Sequence, residues 1–145
     1  MKRKTERTNP LKVTGAVFLV ALLFIGGFFW LNHMAEWGPE DYIDLTYSTM
    51  DTIESVAYQG YWGSQEDAYH AAREARNCRE RLLRIEPPGY FSRLYSLLLT
   101  YSEARMRSFY SRYQVPSGRF WKEQKETADS LFDEVLSELY RIEVM

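Results

Sequence analysis

The apolar run from Val13 to Leu31 constrains this chain more than any other feature of its sequence. It contains no charged residue and is long enough to cross, as one helix, the roughly 30 Å of hydrocarbon in a bilayer. Basic residues crowd its N-terminal side, at Lys2, Arg3, Lys4, Arg7 and Lys12. On the other side acidic residues prevail, and no Lys or Arg occurs before Arg73.

This one-sided charge predicts, by the positive-inside rule, a single-pass protein of the cell membrane with a cytoplasmic N-terminus. The chain then divides into a cytoplasmic basic stub (1–12), a transmembrane signal anchor (13–32), a juxtamembrane linker (33–38) and an extracytoplasmic domain (39–145). Trp30 and Trp37 are expected at the membrane interface, because an indole ring suits the boundary between acyl chains and headgroups.

A cleaved signal peptide is the alternative interpretation of the same run. The apolar region of such a peptide is usually only about 7–15 residues long and is followed by small residues. Here the run is longer, and it ends in bulky residues from Phe28 to Leu31. The sequence therefore favours an anchor that is not removed.

Composition excludes several classes of function. The single cysteine, Cys78, cannot form a disulfide within the chain, so the predicted domain depends on its core for stability. The excess of acidic residues beyond Lys12 disfavours a nucleic-acid partner. The two histidines, His33 and His70, are too few for a three-histidine zinc site, and no phosphate-binding loop occurs. We therefore expect no enzyme, no cofactor and no metal site.

Turn signals divide the predicted domain into four helical segments. Gly38-Pro39 precedes the first segment, and Ser64 with Asp67 resembles a capping box at the start of the second. The third follows Pro87-Pro88, where Pro88 is able to open a helix, and Ser117 is the expected cap of the fourth. These signals predict helices over residues 39–61, 64–85 and 88–113, and a fourth that starts after Gly118 and continues to Ile142.

In each segment apolar residues recur at steps of three and four, which is the pattern of an amphipathic helix. In the first segment the stripe is Ile43, Tyr47, Met50, Ile53 and Ala57. In the second it includes Cys78, which is therefore expected in the core. Short connections favour antiparallel neighbours, so the sequence predicts an all-α fold, with one N-terminal transmembrane helix followed by an up-down-up-down four-helix bundle ectodomain.

Many aromatic residues are expected at one end of this bundle. If the first helix runs away from the membrane, its end meets the start of the second, the end of the third and the start of the fourth at a distal tip. Trp, Tyr and Arg are enriched at binding hot spots. The candidate partner-binding residues are Tyr58, Tyr61, Trp62, Tyr110, Tyr113, Trp121, Arg112 and Arg119. The alternative is that these rings only plug the end of the bundle.

The second helix also carries a series of arginines, namely Arg73, Arg76, Arg79, Arg81 and Arg84. A solvated face with acidic neighbours is the favoured interpretation, and a site for anions or headgroups is the alternative.

Two classes of function fit these features. The first is a structural or interaction protein, whose bundle docks on another envelope protein or complex while the chain is held in the lipid bilayer. The second is a ligand-binding or sensor module for a small molecule, a glycan or an envelope polymer. None of the motifs in the chain identifies a protein family.

Overall fold

The computed structural model describes residues 38–145, which contain four α-helices. These are α1 (Pro39–Trp62), α2 (Gln65–Leu82), α3 (Ser92–Gln114) and α4 (Phe120–Glu143), with a 3₁₀ turn at Gly89–Phe91 before α3. No strand occurs within these residues. The predicted all-helical bundle is therefore confirmed for this part of the chain.

Within residues 38–145, no helix has both the length and the apolar character that are needed to cross a bilayer. The predicted anchor at 13–32, the basic stub at 1–12 and the interface residues Trp30 and Trp37 lie outside the described residues. The membrane assignment accordingly stays a prediction from sequence.

The starts of α1 and α2 follow from local chemistry. Pro39 opens α1, and the Asp41 carboxylate accepts a 2.6 Å hydrogen bond from the backbone N–H of Gly38. At α2, Ser64 Oγ accepts from the N–H of Asp67 (3.1 Å), and the Asp67 carboxylate accepts from the N–H of Ser64 (2.7 Å). The predicted capping box is therefore confirmed.

Three predicted helix bounds are wrong. α2 ends at Leu82, because Arg84 and Ile85 make tight three-residue turns ahead of the two prolines. Pro88 does not open α3, since its backbone is extended and the turn Gly89–Phe91 intervenes. Ser117 does not cap α4, whose preceding residue is Arg119 and has no capping side chain.

Contacts near the ends of neighbouring helices establish the relative directions of α1, α2 and α3. At the start of α1, Tyr42 stacks on Phe91 with ring centroids 5.2 Å apart, and at its end Tyr61 lies 4.6 Å from Phe109. α1 and α3 are therefore parallel. The Tyr95 hydroxyl near the start of α3 donates a 2.6 Å hydrogen bond to the carbonyl of Leu82 at the end of α2. α2 therefore runs against α3.

α4 runs against both α3 and α1. Arg93, near the start of α3, pairs with Glu138 near the end of α4 at 3.6 Å. Tyr47 in the first half of α1 donates a 3.2 Å hydrogen bond to Glu143, the last residue of α4. Successive helices in residues 38–145 thus alternate in direction.

The predicted stripe of α1 is partly out of phase with its buried face. Met50, Ile53 and Ala57 are buried as expected, but Tyr47 is 43 % exposed. Thr46 is buried instead, and its hydroxyl donates a 2.8 Å hydrogen bond to the backbone carbonyl of Tyr42. A threonine satisfied by its own helix can occupy a core position that a purely apolar pattern assigns to a neighbour.

α1 and α2 approach each other closely near the aromatic end of the bundle. A Cβ atom at Gly60 would lie 2.6 Å from the Cβ of Ala71 and 3.0 Å from the Phe109 ring, so only glycine fits there. Farther along α2, Cys78 is 1 % exposed, which confirms its predicted core position. Burial raises the pKa of the Cys78 thiol, although a hydrogen bond from Arg81 opposes the shift.

Candidate functional site

The candidate site lies at the end of the bundle where the α1–α2 and α3–α4 connections meet. Two of the predicted partner-binding rings are buried there: Tyr61 is 3 % and Trp121 is 4 % exposed. Their rings stack at 5.9 Å, and Trp121 Nε1 donates a 3.0 Å hydrogen bond to the carbonyl of Pro116. These two rings plug the bundle, as the alternative interpretation of the tip proposed, and have little surface for a partner.

Other rings of the same end face solvent. Tyr58 is 76 % exposed, Trp62 61 % and Phe120 60 %. Trp62 stands edge-on to the buried Trp121 ring, with centroids 6.0 Å apart. The exposed indole of Trp62 therefore packs on the buried ring of Trp121. The end of the bundle has a buried layer of aromatic rings and an exposed one.

The two predicted arginines differ in what they contact. Arg112 donates hydrogen bonds to the carbonyls of Gly63 (2.7 Å) and Ser64 (3.2 Å), which ties α3 to the α1–α2 connection. Arg119 is exposed and pairs with Glu123, one helical turn ahead, at 3.3 Å. Arg112 thus holds the tip together, while Arg119 is a solvated surface residue.

A cavity between α2 and α3, which we call the α2–α3 groove, adjoins the exposed rings. Its volume is about 360 Å³, and its lining residues are Tyr69, Ala72, Arg73, Arg76, Met106, Arg107 and Tyr110. Tyr113 packs beside the groove, since its ring lies 5.1 Å from that of Tyr69 and 6.0 Å from that of Tyr110. Two of the candidate tip residues, Tyr110 and Tyr113, thus lie in and beside a concave site.

The rim of the α2–α3 groove is basic. Arg76 pairs with Glu80 at 2.9 Å within α2, and Arg107 pairs with Glu103 within α3; in both of these i,i+4 pairs the arginine is exposed. Arg73 has no ion pair among residues 38–145. Exposed pairs of this kind contribute only about 0.3–0.5 kcal/mol each, so an acidic partner can displace them.

Sequence reasoning placed Tyr110 and Tyr113 at the tip but did not predict the groove. In the sequence, Arg73 and Arg76 belong to a basic face of the second helix and are far from Met106 and Arg107. Only the packing of α2 on α3 brings them to one cavity. The mixture of arginine and small residues on α2 indicates a close approach by another helix beside a basic face, but it does not identify that helix.

Beneath the tip, Arg105 forms a buried polar cluster that links three helices. Its side chain is 4 % exposed and contacts the carboxylates of Glu54 on α1 (2.8 Å) and Asp129 on α4 (2.7 Å). It also donates a 3.1 Å hydrogen bond to the Tyr61 hydroxyl, and the Tyr101 hydroxyl donates to Glu54. In the sequence, helical spacing allows either Ala104 or Arg105 on the inner face of the third helix, and it does not indicate the carboxylates that Arg105 meets.

Charges in the Arg105 cluster are stabilised by one another. Burial disfavours the ionised form of Asp129, but hydrogen bonds from Lys125 and Arg105 outweigh it and hold the pKa of this carboxyl below its ordinary value. Burial raises the pKa of the Tyr101 hydroxyl, and the neighbouring Glu54 carboxylate raises it further. The cluster thus combines the Arg105 guanidinium and the Lys125 ammonium with two carboxylates and neutral phenols.

No protein family, curated protein or solved structure matches this chain. The interpretation of the site therefore depends on its own geometry.

The exposed part of the site is aromatic and basic, and its buried part is a cluster of ion pairs. Within residues 38–145, no three His, Cys, Asp or Glu side chains are grouped so that they could hold a metal ion. The Arg105 cluster is inside the bundle, and its cation is saturated by carboxylates, as expected for a structural cluster. Exposed aromatic rings next to a basic groove are typical of an interaction surface.

Proposed function

We propose that this chain is a single-pass, membrane-anchored interaction protein whose helical bundle docks on another protein or complex of the cell envelope. The observation that carries the proposal is the exposure of large aromatic rings near the helix ends that meet at this end of the bundle, namely Tyr58, Trp62, Tyr69, Tyr110 and Phe120. Soluble domains rarely expose several large rings together unless a partner covers them, and Trp and Tyr contribute much of the binding energy of interfaces.

The membrane anchor in this proposal comes from the sequence of residues 13–32 and its one-sided basic flank. In a chain tagged at both ends, protease added to intact cells should remove the C-terminal tag and spare the N-terminal one. Immunoblotting with each tag antibody measures this directly. Protection of the C-terminal tag, or loss of the N-terminal tag in untreated cells, would contradict the proposed anchor and its orientation.

Docking through the aromatic end is tested by the paired substitution Trp62→Ala/Tyr110→Ala in the full chain. Both side chains are at least 47 % exposed, so thermal stability should change little while co-purification of a partner from native membranes is lost. Quantitative mass spectrometry of the purified material measures the loss.

Tyr140→Ala is the matched control for that experiment. Tyr140 is 70 % exposed but lies near the end of α4, away from the candidate site. It should leave co-purification unchanged. If the wild type and the Trp62/Tyr110 variant recover partners equally, the aromatic end is not the docking site. If the variant loses much of its thermal stability, these rings belong to the buried plug.

A ligand-binding or sensor module is the second candidate, favoured by the α2–α3 groove. Its volume of about 360 Å³ falls within the range of small-molecule pockets, roughly 300–1,000 Å³. Native mass spectrometry of the full chain, released gently from its membrane, separates the two candidates. A monomer that carries a bound small molecule would favour this function over docking.

A further inference from the structure

We propose that the α2–α3 groove binds an acidic segment of the partner protein, with an apolar side chain of that segment seated between Tyr69 and Tyr110. This inference rests on the proposed docking function and specifies the chemistry of the partner. Three properties of the groove support it: its shape, its floor and the charge of its rim.

The floor of the groove provides the apolar contact. Ala72 is buried and small, Met106 is half-buried, and the two tyrosine rings are each 47 % exposed. A flexible thioether beside aromatic rings adapts to side chains of different shape. A leucine or phenylalanine of a partner segment would exclude water from these surfaces, which is the main source of affinity at such a site.

The arginines at the rim of the groove favour a partner with negative charge. Arg73, Arg76 and Arg107 surround one cavity although the chain as a whole is acidic, with a net charge of −2. A guanidinium presents a planar pair of N–H donors that matches a carboxylate, and Arg73 has no acidic partner in residues 38–145. Glutamate or aspartate on either side of the apolar residue would meet these donors.

Other occupants fit less well. Residues 1–12 of this chain carry the same sign of charge as the rim and would be repelled. A bilayer of anionic lipid offers a flat surface, whereas the groove is concave. A partner segment supplies both the projecting apolar side chain and the separate carboxylates.

The test is a selection from a phage-displayed library of random peptides on the full chain in nanodiscs of neutral phosphatidylcholine. The enriched peptides should combine Asp or Glu with Phe, Leu or Trp. In fluorescence anisotropy, a labelled enriched peptide should bind about tenfold more weakly to Arg73→Glu/Arg107→Glu, because charge pairs are replaced by like-charge contacts. Higher ionic strength should weaken its binding to the wild-type chain.

Arg84→Glu is the matched control, since Arg84 is an exposed arginine just beyond α2 and outside the groove. The Arg84→Glu variant should bind the same peptide with the affinity of the wild type. If Arg73→Glu/Arg107→Glu unfolds the chain, the neutral variant Arg73→Gln/Arg107→Gln replaces it in the test, and a smaller loss of affinity is expected. Tyr69→Ala/Tyr110→Ala should also weaken binding, which separates a seated apolar residue from attraction by charge alone.

Several results would overturn the inference: no enrichment, enrichment of neutral or basic peptides, or equal affinity for the wild-type and Arg73/Arg107 variants. Phosphatidylglycerol vesicles that bind with the same arginine dependence, while peptides do not, would assign the groove to a lipid surface. These failures are distinguishable from failure of the docking function. If the Trp62/Tyr110 variant still loses its partner while the selection fails, docking stands and only the assigned partner chemistry falls.

Discussion

Replacing Trp121 with alanine is expected to lower the free energy of unfolding by about 3–5 kcal/mol, the range for truncating a large buried aromatic. The ring is 4 % exposed and stacks on Tyr61 at 5.9 Å, so its removal leaves a void at the end of the core. The Pro116 carbonyl also loses the donor that joins it to the ring nitrogen of Trp121. Chemical denaturation followed by circular dichroism measures the change.

Trp62 gives a matched control one ring away. It contacts Trp121 edge-on but is 61 % exposed, so Trp62→Ala removes little buried area and should cost less than about 1 kcal/mol. A loss of stability from Trp62→Ala as large as that from Trp121→Ala would contradict the division into a buried plug and an exposed surface. The contrast also determines which variant is safe for binding experiments.

Replacing Arg105 with alanine is expected to lower the free energy of unfolding by about 3 kcal/mol, the lower end of the range for breaking a buried ion pair. The guanidinium bridges Glu54 and Asp129, and without it Glu54 loses its cation while Asp129 keeps only its pair with Lys125. Their side chains are 34 % and 43 % exposed, so water relieves part of the penalty and the lower figure applies.

Arg107→Ala is the control for this substitution, two residues along the same helix. Its side chain is 64 % exposed and its single pair with Glu103 lies on the surface, so a change of about 0.5 kcal/mol or less is expected. Denaturant titrations of both variants should separate them clearly. If Arg105→Ala unfolds at the wild-type midpoint, the cluster does not hold α1, α3 and α4 together.

Much of the fold was predictable because it depends on short-range chemistry. The capping box of Ser64 and Asp67 and the break at Pro87 act within a few residues, so their effect can be inferred without a neighbour. Cys78 follows from periodicity, since a residue three or four steps from other apolar residues shares their face. The errors arose where polar groups are satisfied locally, as at Thr46, or where a turn precedes the helix, as at Gly89–Phe91.

The candidate site was predicted only in outline. Antiparallel order brought the aromatic residues to one end, but it did not distinguish Tyr61, which is buried, from Trp62, the next residue, which is exposed. A helix turns by about 100° per residue, so a small difference in rotation exchanges the inward and outward positions. The contacts of α3 and α4 set that rotation, and they are long-range in sequence.

Signals within the sequence are sufficient to predict four helices in residues 38–145, most of the breaks between them, and the end of the bundle that collects aromatic rings. The sequence also carries the prediction of a membrane anchor at residues 13–32. The burial of Arg105 among carboxylates, and the groove that Arg73 and Arg107 share, depend on how the helices pack. The physical reason is that helix formation and capping act over a few residues, whereas a cavity or a buried charge cluster exists only after side chains from different helices have packed together.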